Sequence, residues 1–147
     1  MTESLEDRII RHESFRATAY KDSMGFSTIG IGHCLTKDDC DSYPNGISYA
    51  DAVTLLEADI ARTKQNAAKE FPWVLGLDEC RAGIIYEMCF QMGVGSVAQF
   101  HNMIAAIRQQ DWATAANAML ESAWHRETPS RCEELATLML KGIDAST

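Results

Sequence analysis

No stretch of this 147-residue chain approaches the roughly 18 consecutive apolar residues that a membrane-spanning helix needs, so no stable membrane insertion is expected. Proline and glycine are scarce, three and nine, and no low-complexity tract occurs, which excludes collagen-like and disordered classes. Basic charge is short as well. With 13 Lys and Arg against 21 Asp and Glu, the net charge is −8, so a polyanion is repelled at long range and no nucleic-acid partner is expected. The first residues carry Glu3, Glu6 and Asp7 before any apolar stretch, the reverse of a secretory leader, and the expectation is a chain made in a cytoplasm without an export address.

Five cysteines, an odd number with no CxxC pair, stand at 34, 40, 80, 89 and 132. Cys80 and Cys89, nine residues apart, fall on opposite faces of one helix and cannot bridge each other. Reduced, mostly buried thiols are expected, with a Cys34–Cys40 loop bridge as the alternative. His12, His101 and His125 have no metal spacing among themselves or with the cysteines, so neither a metal nor a cofactor is expected.

What is present is one ordinary core's worth of apolar residues, 46% of the chain, enough for one compact domain with two lobes. Leu5, Ile9 and Ile10 follow helical spacing behind Ser4 and Asp7, a capping-box pattern, and the first helix should end near Glu13. The period then changes. Tyr20-Lys21-Asp22, a Ser23-Met24-Gly25 turn and the alternating run Phe26 to His33 read as a hairpin whose glycines leave one face bare. Pro44-Asn45-Gly46 is a turn, and Ser48 with Asp51 caps a long helix to about Glu70. Beyond Pro72 the pattern is helical: Glu79 to Met92, Ser96 to Arg108, Asp111 to about Ala123, and Pro129 to Lys141 with Thr128 and Gly142 as caps. This segregation predicts an α+β fold in a single domain: a β lobe over about 14–58, a helical lobe of 1–13 and 71–147, and a joining helix over about 49–70.

Glu13 at a helix end, Asp22 on the first hairpin strand and Thr28 on the facing strand could line one groove. Two carboxylates across a groove suit acetal cleavage, in which one protonates the leaving oxygen and the other serves an oxocarbenium-like centre from the opposite side. Spacing alone also allows them to be ordinary solvated acids. Glu13, Tyr20-Lys21-Asp22, Gly25 and Thr28-Ile29-Gly30-Ile31-Gly32-His33, followed in order by Phe90-Gln91-Met92-Gly93 and by Trp124 to Arg131 with Thr128-Pro129 inside, resemble the T-even phage lysozymes, the endolysins of glycoside hydrolase family 24. The resemblance covers nearly the whole chain and is loose only between 38 and 80.

It implies a lysozyme-like fold and a muramidase that hydrolyses the β-1,4 bond between N-acetylmuramic acid and N-acetylglucosamine of peptidoglycan. Glu13 would be the general acid, and Asp22 with Thr28 would hold the attacking water of an inverting reaction. Cys34, Phe90 and Gln91 would line the saccharide groove, Cys34 standing where the family more usually has Leu. Trp124 would shape the cleft, its other reading being a core residue, and Arg131 would orient Glu13. His33 and Asp59 would form an ion pair between the lobes rather than a catalytic pair. Such a pair raises the folded pKa of His33, so its stabilisation is present at acidic pH and lost as pH climbs through that value. The family further implies a monomer with peptidoglycan as its partner, which waits in the host cytoplasm until a phage membrane-hole protein admits it to the wall. A lytic transglycosylase or a silent peptidoglycan-binding module is the alternative. At −8 the electrostatic steering of basic relatives is missing, so activity should tolerate salt, unless Arg8, Arg11, Arg16 and Arg131 build a local basic patch.

Overall fold

The structure, a computed structural model, describes residues 3–22, 25–37 and 42–142. Ser23 and Met24 of the expected turn, and Cys40 of the alternative bridge, lie outside the described residues. The chain divides into two compact units, one spanning Glu3–Arg62 and the other beginning at Thr63. Helix α1 (Leu5–Glu13) falls with the strands β1 (Arg16–Lys21), β2 (Ser27–Gly30) and β3 (His33–Cys34) in the first unit, not with the helical lobe as expected. Helix α2 (Tyr49–Glu70) begins in the first unit and ends in the second. The second unit continues with a 3-10 turn (Pro72–Gly76), α3 (Glu79–Met92), α4 (Val94–Ala98), α5 (His101–Arg108), α6 (Trp112–Leu120), α7 (Ala123–Glu127) and α8 (Pro129–Lys141). The fold is α+β, and no helix among the described residues is long and apolar enough to cross a membrane.

Local chemistry explains the element boundaries. The Ser4 hydroxyl accepts from the Asp7 N–H at 3.1 Å and the Ser48 hydroxyl from the Asp51 N–H at 3.1 Å, which starts α1 and α2 by satisfying otherwise orphaned donors. Where a hairpin was expected, the sheet is three-stranded and antiparallel in the order β1-β2-β3. The run from Phe26 to His33 is not one strand. Gly30 and Gly32 have φ of 67° and 66°, so the glycines, instead of baring a sheet face, reverse the chain between β2 and β3.

Gly46 closes the turn after Pro44 with φ 87°, and its N–H donates to the Tyr43 carbonyl at 3.1 Å. The next N–H, of Ile47, donates to the Ala17 carbonyl at 2.8 Å, which fastens this loop to β1. A Cβ at Gly46 would stand 2.6 Å from that same Ala17 oxygen, so only glycine fits.

Ile9, Ile29, Ile31, Ile47, Ala52 and Leu56 are buried in the first unit. The second has an apolar core that includes Ile84, Ile85, Met88, Met103, Ile107, Met119, Leu135 and Met139. The helix expected over 96–108 is broken in two, and the one expected over 111–123 stops at Leu120, with a separate short helix, α7, starting at Ala123. Phe100, with ψ 63°, leaves the helical region and sets its ring edge-on to buried Trp124, centroids 6.2 Å apart. Arg81 joins the start of α3 to the end of α8 by donating from Nε to the Met139 carbonyl and from an Nη to the Leu140 carbonyl. Its guanidinium also lies 3.8 Å from the Trp112 ring centre. Gly142, with φ 74°, ends α8 as expected.

Candidate active site

The first unit carries six of the residues singled out from sequence, Glu13, Asp22, Thr28, His33, Cys34 and Asp59. Glu13 is the last residue of α1 and is half-buried. Immediately after it, Ser14 turns the chain with φ 64° and ψ 165°, a conformation that essentially only glycine adopts without strain. Asp22 and Thr28 are held by one residue between them in the chain. The Asp22 backbone N–H donates to the Phe26 carbonyl at 2.9 Å, and the Gly25 N–H donates to the Asp22 carbonyl at 3.0 Å, with Gly25 at φ 85°. The Asp22 carboxylate then accepts from the Phe26 N–H at 2.9 Å, and the Thr28 hydroxyl donates to the Phe26 carbonyl at 3.0 Å. Both side chains are therefore fixed against a single peptide frame.

Strand register settles which residues share a face. Tyr20 pairs with Thr28 and Lys21 with Ser27, and Asp22 then stands opposite Phe26. On the other side of β2, Thr28 pairs with Cys34 and Ile29 with His33. Because directly paired residues point the same way and alternate residues return to the same face, Tyr20, Asp22, Phe26, Thr28 and Cys34 lie on one face of the sheet. Ile29 and His33 lie on the other, where Ile29 is fully buried. Thr28 is also buried at 4% exposure, between half-buried Tyr20 and exposed Cys34.

The Tyr20 phenol on this face feels the charge of Glu13 as well as that of Asp22. Burial pushes the Tyr20 phenol above its ordinary pKa, Glu13 and Asp22 push it further, and Arg16 opposes them. Arg16 itself stacks over the Tyr20 ring at 4.4 Å. Tyr20 entered the sequence reading only as part of a motif. Its signal was available in the two-residue spacing to Asp22.

The remaining candidates behave differently. His33 Nδ1 lies 2.7 Å from Asp59 Oδ2, and Asp59 also pairs with Arg62. Expected between lobes, this pair lies wholly within the first unit, because the early turns of α2 that carry Asp59 belong to it. Phe90 and Gln91 are half-buried on α3. Gln91 accepts from Trp124 Nε1 at 3.0 Å and donates to the Thr128 hydroxyl at 3.3 Å, so both ends of its amide are committed within the protein. Trp124 is 4% exposed, in keeping with its reading as core. Arg131 donates from Nε to Glu87 at 2.9 Å, an acid with no exposure at all that the sequence reading missed. Its signal was a lone charge within the apolar run Ile84-Ile85-Tyr86-Glu87-Met88, where only a buried partner makes an acid tolerable.

Of the arginines named for a basic patch, Arg8 and Arg131 are buried and Arg11 is paired with Glu3 at 2.7 Å. Cys89 and Cys132 are buried thiols whose pKa burial pushes up to about 12 and about 11. Among the described residues no group of three or more His, Cys, Asp or Glu could hold a metal ion.

An α+β fold with an acid and a hydroxyl fixed on one sheet face, and a second acid at the end of α1, defines a class that includes carboxylate-based hydrolases. A family model described as phage lysozyme matches residues 10–139, and the chain belongs to the phage lysozyme family. It is 30% identical over 160 residues to the pre-baseplate central spike protein Gp5 of Enterobacteria phage T4, an alignment that covers 95% of this chain but 28% of that protein. It is 29% identical over 165 residues to the probable T4-type lysozyme 1 of Dictyostelium discoideum, covering 97% of this chain and 96% of the relative. With the peptidoglycan hydrolase gp36 of Pseudomonas phage phiKMV it shares 27% identity over 143 residues, 92% of this chain and 15% of that one.

Proposed function

We propose that this chain is a muramidase of glycoside hydrolase family 24 that cleaves the β-1,4 bond between N-acetylmuramic acid and N-acetylglucosamine of peptidoglycan with inversion. The observation that carries the reading is the fastening of Asp22 and Thr28 to the Phe26 peptide on the face whose Tyr20 phenol senses both Glu13 and Asp22. The names of the Dictyostelium and phiKMV relatives, a probable lysozyme and a peptidoglycan hydrolase, agree with it.

In this mechanism Glu13 delivers its proton to the glycosidic oxygen as that bond breaks. The Thr28 hydroxyl gives its own proton to the Phe26 carbonyl, so toward a water it acts as an acceptor. A water that donates one proton to Thr28 and one to Asp22 turns a lone pair toward the anomeric carbon. As the new C–O bond forms, Asp22 takes the proton, and the product leaves with inverted configuration. The protein acts as a monomer and serves host lysis from the cytoplasm, reaching the wall through a phage membrane-hole protein.

The test is digestion of purified sacculi. The expected products carry a reducing muramic acid end, initially as the inverted anomer by NMR. Glu13→Gln should lower turnover by about 10² to 10⁴. Anhydro-sugar products would replace this reading with a transglycosylase, and binding without solubilisation would replace it with a silent module. Expressed alone, the protein should lyse cells only after chloroform opens the inner membrane; lysis without it would overturn the route.

A further inference from the structure

Phe26 is the residue on which Asp22 and Thr28 both depend, yet its side chain takes no part in those bonds. It is 57% exposed, an unusual place for an aromatic ring that could have been buried. The register puts that ring on the same sheet face as Asp22 and Thr28, directly opposite Asp22. The backbone of the same residue is locked through its N–H to the Asp22 carboxylate and through its carbonyl to the Asp22 N–H and the Thr28 hydroxyl. The ring therefore starts from a backbone that is already ordered, and a ligand seated on it loses little entropy in positioning it.

We propose that Phe26 is a specificity-determining residue of the reaction, its ring forming an apolar platform for the C–H face of one amino sugar next to the water-holding pair. Sugar rings present axial C–H groups on one face, and sites that bind them combine an apolar or aromatic surface with a few fixed polar groups. That combination is what Phe26, Asp22 and Thr28 make together. The inference rests on the muramidase reading and adds to it a binding contact distinct from the proton-transfer groups.

The experiment measures kcat and KM on soluble peptidoglycan fragments for Phe26→Ala, Phe26→Leu and Phe26→Trp, with thermal midpoints. Phe26→Ala should raise KM about five- to tenfold and change kcat less than about twofold, because the backbone bonds to Asp22 and Thr28 persist. Phe26→Trp should restore KM, whereas Phe26→Leu, apolar but without a ring, should not. Unchanged KM in the alanine variant, or equal rescue by leucine and tryptophan, overturns the proposal. A Phe26→Ala variant that unfolds is replaced by the leucine–tryptophan comparison, which keeps a large apolar side chain at this position. A wild-type protein that hydrolyses nothing overturns the muramidase reading instead, and oligosaccharide binding by the Glu13→Gln variant, with and without Phe26→Ala, then decides the platform separately.

Discussion

Two groups of polar side chains, one in each unit, are used in opposite ways. In the sheet-bearing unit, Asp22 and Thr28 bond to the backbone of a residue four and two positions away, and their far sides remain on a face that holds an exposed Phe26. In the helical unit, Glu87–Arg131, Gln91–Trp124 and Gln91–Thr128 are side-chain pairs 44, 33 and 37 residues apart that tie α3 to α7 and α8 inside the core. Short-range bonds to backbone orient a group without consuming it, as chemistry at a surface requires. Long-range pairs between side chains consume both partners and leave packing as the product.

The largest effects should expose this contrast at the sheet. Asp22→Asn keeps the shape of the side chain but removes the proton acceptor, and Thr28→Ala removes one of the two groups that hold the water. Each should lower turnover on sacculi by about 10² to 10⁴, equivalent to about 3–5 kcal/mol of barrier, while thermal stability falls by no more than about 1 kcal/mol. If either variant lost stability in proportion to activity, the two residues would be structural and the contrast would fail.

Next come changes in the helical unit, where stability rather than turnover should respond. Glu87→Gln removes the negative charge that faces the Arg131 guanidinium, itself 9% exposed, in the core. A loss of about 3–5 kcal/mol is expected, a fall in melting temperature of roughly 10 °C or more. Pairing Glu87→Leu with Arg131→Met should recover most of it, since well-packed apolar side chains replace a buried ion pair at little cost. Equal stability of the single and double variants would show that the pair contributes nothing specific.

The same contrast decides what could be read from the letters. Caps, turns and the Asp22–Thr28 spacing are local, and Ser4, Ser48, Gly25 and Gly142 announced their elements because each satisfies nearby backbone in a way few residue types can. The break between β2 and β3 was misread because Gly30 and Gly32 fit an alternating strand as well as a left-handed turn, and only φ distinguishes them. Glu87 as a partner of Arg131, the split at Phe100 and the stop at Leu120 depend on tertiary packing that no short window contains. Phe26 was overlooked for a different reason. A single apolar residue in a turn has no significance until its face and exposure are known.

A smaller effect tests how firmly the loop before α2 holds β1. Gly46→Ala places a methyl group 2.6 Å from the Ala17 carbonyl and asks alanine to adopt φ 87°. About 1–3 kcal/mol of stability should be lost, read as a lower denaturant midpoint. An unchanged midpoint would mean that the loop yields and that β1 owes its position to its pairing with β2 alone.

The smallest expected change has the opposite sign and falls beside the candidate acid. Ser14 follows Glu13 with φ 64° and ψ 165°, a conformation that costs a non-glycine residue about 1–3 kcal/mol. Its N–H is still used, donating to the Ile10 carbonyl at 2.9 Å, so the strained turn ends α1 in an ordered way. Ser14→Gly relieves the strain but adds freedom to the unfolded chain worth about 0.5–1 kcal/mol, so the net gain should be about 1 kcal/mol, or about 2–4 °C in melting temperature. Relief at the hinge that aims Glu13 should also loosen the acid, and turnover should fall a few-fold as stability rises, as expected where strain is kept for function. A variant that is both less stable and fully active would show that serine is the better residue at this turn and that Glu13 is aimed by something else.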